Sequence, residues 1–123
     1  MLSHNDVVAT IAVQDMARAR KFYEGTLGLK PQGVLGEEVA TYKAGDSKVF
    51  VYKSEHAGGY GATVATWTVE DHIEALVEEL HQRGVKFEHY KDMPDVELQG
   101  DIHVNGDMKA AWFKDPDKNI LCL

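Results

Sequence analysis

Apolar positions follow two different periods along this chain, and the same succession of periods occurs twice. The octet VATIAVQD, residues 8–15, is a short strand-like apolar run interrupted by Thr10, and VATWTVED, residues 64–71, repeats it 56 positions later with five of eight letters unchanged. Each copy is followed by apolar residues at helical spacing: Met16, Ala19, Phe22 and Tyr23 in the first, Ile73, Leu76, Val77 and Leu80 in the second. Asp15 and Asp71 stand where a side chain caps the free N–H groups of a first helical turn, and Glu74, three residues after Asp71, completes a capping-box pair. Gly28 and Gly84, each 13 residues beyond its aspartate, predict left-handed C-terminal stops.

Alternation and turn residues follow both helices. Strands are predicted over 39–43, 49–53, 85–90 and 110–114. YKAGDSKVFVY (42–52) aligns with FKDPDKNILCL (113–123) as strand, tight turn and strand, now at an offset of 71. The second half therefore carries about 15 extra residues, most naturally KDMPDVELQGDIHVNG (91–106), predicted as a long loop. Neither β-α-β-β-β unit can bury a one-sided sheet alone. The expected fold is α+β: two βαβββ modules pairing into a curled, cup-like eight-stranded mixed sheet, with a helix packed outside each. Residues 1–123 form one domain, with module 1 over about 5–56 and module 2 over about 61–123.

Composition narrows the function classes. Hydrophobic residues at 44% and charged residues at 27% fit a soluble globular chain. No apolar run has the length of a membrane span, and MLSHND lacks the features of a signal peptide, so no membrane partner and a cytoplasmic location are expected. A formal charge of −7 repels a phosphate backbone, so no nucleic acid is expected, while a cationic small molecule is attracted. Cys122 is the only cysteine, which excludes an intrachain disulfide.

Three stretches, IAVQDMARARKFYEGTLGLK (11–30), WTVEDHIEALVEELHQRGVKF (67–87) and AAWFKDPDKNILCL (110–123), resemble the vicinal oxygen chelate superfamily, which includes glyoxalase I, bleomycin-resistance proteins, fosfomycin-resistance enzymes and extradiol dioxygenases. The resemblance implies paired modules, a cupped sheet and a homodimer. It also implies where a divalent metal would be held: a His at the start of the first strand of each module and a carboxylate on a last strand. Those positions fall on Val8, Val64 and Cys122, with Val51 as the counterpart of Cys122 at the offset of 71. Valines have no lone pairs to give a metal, so no metal and no cofactor are expected.

Strand alternation then gives the lining of the cup. If Val8 and Val64 face inward, so do Thr10, Ala12, Thr66 and Thr68, while Ile11, Val13, Trp67 and Val69 face the helices; Val49, Val51, Ile120 and Cys122 are expected inward as well. The expected ligand-binding residues are Val8, Thr10, Val51, Val64, Thr66, Trp112 and Cys122, a lining suited to an apolar or aromatic, and by charge a cationic, small molecule. Trp112 is included, with Tyr42, Tyr90, Met93 and Met108 as further candidates, as flat or adaptable surface from the remaining strands and loop. Cys122 reads either as a soft ligand or nucleophile or as a small buried apolar residue. His72 and His81 read as a solvated helix face. His103 and Asp101 form the catalytic candidate, an acid–base or metal pair in a lid, against the alternative of a mobile acidic loop. A third reading makes the fold a dimerisation or docking module.

Overall fold

The computed structural model describes residues 2–4, 8–33, 37–58 and 61–123. Gly59 and Tyr60 of the glycine-rich connector between the modules lie outside the described residues. After a short 3-10 turn (Leu2–His4), the first module runs β1 (Ala9–Val13), α1 (Met16–Arg20), β2 (Lys30–Pro31), β3 (Val39–Ala44) and β4 (Ser47–Lys53). The second runs β5 (Thr63–Thr66), α2 (Ile73–Gln82), β6 (Phe87–Glu88), then β7 (Glu97–Gln99), β8 (Ile102–Asn105) and β9 (Met108–Ala110), and closes with β10 (Trp112–Lys114) and β11 (Ile120–Cys122).

The repeat seen in the sequence is a repeat of topology. The sheets have orders β1-β4-β3-β2 and β5-β11-β10-β6. In each, the first strand lies parallel to the last and the remaining pairs are antiparallel. The two sheets together supply eight strands, and β1 approaches β5 where they meet. The helix-side core is continuous across both modules, from Ile11, Val13, Tyr23, Ala40 and Val51 to Ile73, Val77, Phe87, Phe113 and Leu121.

Asp15 caps α1 as expected, accepting the Arg18 N–H at 3.1 Å. The helix then widens into a π turn over Lys21–Thr26, and Gly28, at φ 71°, ends it. Gly84 ends α2 at φ 91°. The start of α2 differs from expectation. Glu70 adopts φ 50°, so the chain enters through a 3-10 turn (Glu70–His72); His72 occupies the cap position without a side-chain bond, and Asp71 lies inside the turn instead of capping it.

The extra segment of the second module is a three-stranded meander, β7-β8-β9, where a long loop was expected. Two-residue Gly–Asp turns, 100–101 and 106–107, connect its strands, and both glycines have positive φ. The expected strand over 110–114 breaks at Ala111, which exchanges backbone hydrogen bonds with Leu123 at 2.9 and 3.3 Å as the chain leaves the meander for the main sheet. Among the described residues no helix is long and apolar enough to cross a membrane.

The modules are tied by a buried polar network. Asp115 accepts the Tyr23 hydroxyl at 2.8 Å, the backbone N–H groups of Asp117 and Asn119 at 2.9 and 2.8 Å, and the Asn119 amide at 2.8 Å. The same Asn119 amide donates to the Ala12 carbonyl of β1 at 2.7 Å, and Arg18 of α1 pairs with Asp117 at 2.8 Å.

Candidate functional site

Strand register decides which side chains reach the open face of each sheet. In the second sheet Cys122 lies opposite Thr66 on one side and Trp112 on the other, and Trp112 lies opposite Glu88. Four side chains therefore share the face turned away from α2, while Leu121, Phe113 and Phe87 occupy the other. Thr66 and Cys122 were expected there from alternation and Trp112 as flat surface from a neighbouring strand; the three line a pocket of about 550 Å³ with Met93 and Met108. Val8 and Val64 line a neighbouring pocket of about 620 Å³ at the junction of the sheets, and Thr66 belongs to both.

The first sheet corrects one site residue. Ile11 lies opposite Val51, which lies opposite Ala40, so Val51 shares the face of the helix-side core and is fully buried. Val49 sits on that face too, beside Tyr42. Thr10 lies opposite Phe50, which lies opposite Thr41, and Ala12 lies opposite Tyr52; the open face thus carries Phe50 and Tyr52, 37% and 38% exposed. The cause is a single residue. Thr41 and its partner Phe50 are 9 positions apart, Trp112 and its partner Cys122 are 10, so a constant offset of 71 slips by one and lands on the wrong face.

Tyr42 also belongs to the core, stacked on Tyr23 at a centroid distance of 6.2 Å and donating its hydroxyl to Glu24 at 2.8 Å. Trp67, expected toward the helices, packs half-buried against the core.

Around Trp112 the site is aromatic. Its ring meets His103 edge to face at 4.9 Å and Tyr90 at 5.4 Å, and its indole N–H donates to Thr63 Oγ1 at 3.2 Å. His103 is buried, with Nε2 accepting the Tyr90 backbone N–H at 2.9 Å. That bond requires a neutral Nε2, and burial holds the imidazole below its ordinary range. Burial raises the Tyr90 phenol, with Glu88 and Cys122 adding to the shift, and burial likewise raises the Cys122 thiol, opposed by Thr66.

Asp101 and His103 do not act as a pair. Asp101 lies 2.7 Å from His89 Nε2, across the turn from β6, while His103 serves Tyr90. His89 carries no sequence signal of this role, since a partner 12 residues away becomes visible only once the meander folds back.

The residues at the positions implied for a metal do not make a donor set. Val8 and Val64 offer no lone pair, Cys122 alone offers sulfur, and Phe50 takes the place expected of Val51. Among the described residues no group of three or more His, Cys, Asp or Glu side chains is placed to hold a metal ion.

Similar folds occur in solved structures. A glyoxalase/bleomycin resistance protein/dioxygenase from Alicyclobacillus acidocaldarius aligns at TM-score 0.69 with 22% identity, covering 99% of this chain and 92% of that one. The fosfomycin resistance protein FosX from Mesorhizobium loti aligns at 0.64 with 16% identity, covering 100% and 92%. FosX from Listeria monocytogenes, in a structure complexed with Mn(II) and 1S,2S-dihydroxypropylphosphonic acid, aligns at 0.66 with 14% identity, covering 100% and 90%. No curated protein matches the chain in sequence. A family model described as Glyoxalase/Bleomycin resistance protein/Dioxygenase superfamily matches residues 6–123, and with the paired modules it describes nearly the whole chain. The chain belongs to the glyoxalase/bleomycin resistance protein/dioxygenase superfamily.

Proposed function

We propose that this chain is a metal-independent small-molecule binding protein that holds an apolar or aromatic ligand against the open face of its second sheet and acts in the cytoplasm as a homodimer. The observation that carries the reading is the shared face of Thr66, Trp112 and Cys122 beneath a pocket of about 550 Å³. Its size and mainly apolar lining with a few hydroxyls suit a compound positioned by shape and a small number of polar contacts. The donor-poor positions Val8, Val64 and Cys122 support binding without metal, even though FosX from Listeria monocytogenes is seen with Mn(II).

Calorimetric titration and native mass spectrometry of the purified chain test this. Aromatic compounds are expected to bind at one per chain with no added metal, and Trp112→Ala to weaken them by at least about tenfold, with folding checked by circular dichroism. Tight, stoichiometric Mn²⁺, Ni²⁺ or Zn²⁺ that switches on lyase or dioxygenase turnover would overturn it.

A further inference from the structure

The charged side chains lining the pocket over the second sheet are two carboxylates and one ammonium. Its floor is made by Thr66, Trp112 and Cys122, yet Glu70 and Asp107 also line it. Glu70 comes from the turn before α2 and Asp107 from the Gly–Asp turn between β8 and β9. Lys109, the one cationic side chain lining the same space among the described residues, has its ammonium engaged by Glu74 of α2. Among the described residues neither the Glu70 nor the Asp107 carboxylate has a hydrogen-bond or ion-pair partner. Two carboxylates without a partner therefore border a space lined, apart from the paired Lys109, by two indoles, two thioethers, aliphatic side chains, two hydroxyls and a thiol.

Carboxylates beside an apolar, partly enclosed space attract a cation more strongly than they do in open water, because the field is less screened. An indole ring and thioethers add polarisable contact to the body carrying that charge. An anionic ligand meets the opposite situation, since the lysine that would receive it is already paired.

We propose that the pocket selects an organic cation borne on an apolar or aromatic body, with Glu70 and Asp107 recognising the charge and Trp112, Met93 and Met108 the body. The inference rests on the binding function proposed above and adds its ligand class and specificity residues.

The test is calorimetric titration of the full chain with two probes of the same ring system, N,N,N-trimethyl-1-naphthylmethylammonium and neutral 1-naphthylmethanol. The cation is expected to bind about tenfold more tightly, and that preference to collapse in the E70Q/D107N variant while the affinity for the alcohol is kept. A control with the same change in net charge away from the pocket, E55Q/E78Q, is expected to retain the preference. Equal affinity of the wild-type chain for both probes overturns the cation inference and leaves the binding function standing. A preference that survives E70Q/D107N, or that E55Q/E78Q removes just as well, also overturns it. Failure of both probes to bind overturns the inference together with the function on which it rests.

Discussion

The hydroxyl of Tyr23, in the π turn of the first module, donates to Asp115 Oδ2 in the second at 2.8 Å, with the Tyr23 side chain fully buried. Burial first, and the Asp115 charge second, raise the phenol far above its ordinary range, so it remains a donor at every accessible pH. Tyr23→Phe removes that donor and little else, and is expected to cost about 1–2 kcal/mol in urea unfolding. Asp115→Ala strands two backbone N–H groups as well as the hydroxyl and the Asn119 amide, and is expected to cost about 3 kcal/mol or more.

Gly58 gives a second stability prediction. A Cβ built on it would lie 2.0 Å from the Asp117 carbonyl oxygen, and its φ is 71°. The obstruction is backbone, which cannot swing aside. Gly58→Ala is expected to destabilise by about 3 kcal/mol, against about 1 kcal/mol for Gly45→Ala, where φ is 58° but the space is open. Thermal melts of the two variants compare the steric and the conformational cost directly.

His103 makes stability depend on pH. Its folded pKa lies below that of the unfolded chain because burial disfavours the imidazolium, so below an unfolded value of about 6.5 the unfolded state binds the extra proton. Stability is therefore full above that pH and falls as pH drops through the window toward the folded pKa, by at most about 1.4 kcal/mol per pH unit. His103→Gln keeps an acceptor for the Tyr90 N–H without the titration. Urea midpoints measured from pH 7.5 to 5 are expected to fall for the wild type and to stay flatter for the variant.

Cys122 is 6% exposed and its thiol is pushed up by burial, so it presents little thiolate near neutral pH. Alkylation by iodoacetamide at pH 7.5 is expected to run at least about 100-fold slower than for a small free thiol, and to reach the ordinary rate in denaturant. Prompt stoichiometric labelling of the folded chain would instead favour reading Cys122 as a nucleophile.

What the sequence makes legible is local chemistry carried on a repeat. Asp15, Gly28 and Gly84 act as their positions predict, because a cap and a left-handed stop need only a few neighbouring residues. Thr66, Trp112 and Cys122 share a face because alternation holds within one sheet. Val51 fails because its placement used the distance between modules, where one extra residue reverses every side chain that follows. The meander was written in the chain as the dipeptide Gly–Asp at 100–101 and 106–107, the same pair that turns β3 into β4 at 45–46, yet as residues without a counterpart in the first module it read as an inserted loop. His89 opposite Asp101, and the carboxylates of Glu70 and Asp107 around one pocket, depend on contacts between separate elements. No local pattern announces them.

The connection after β10 has a further consequence. Where the first module turns its last hairpin with Gly45–Asp46, the second spends five residues, Asp115–Asn119, and their polar groups find their partners on Tyr23, Arg18 and Ala12. A chain severed at the connector would leave Asp115 without its phenol, Asp117 without its guanidinium and Asn119 without the Ala12 carbonyl. The two copies have thus become unequal: the later one carries a turn whose polar groups are completed only by the earlier.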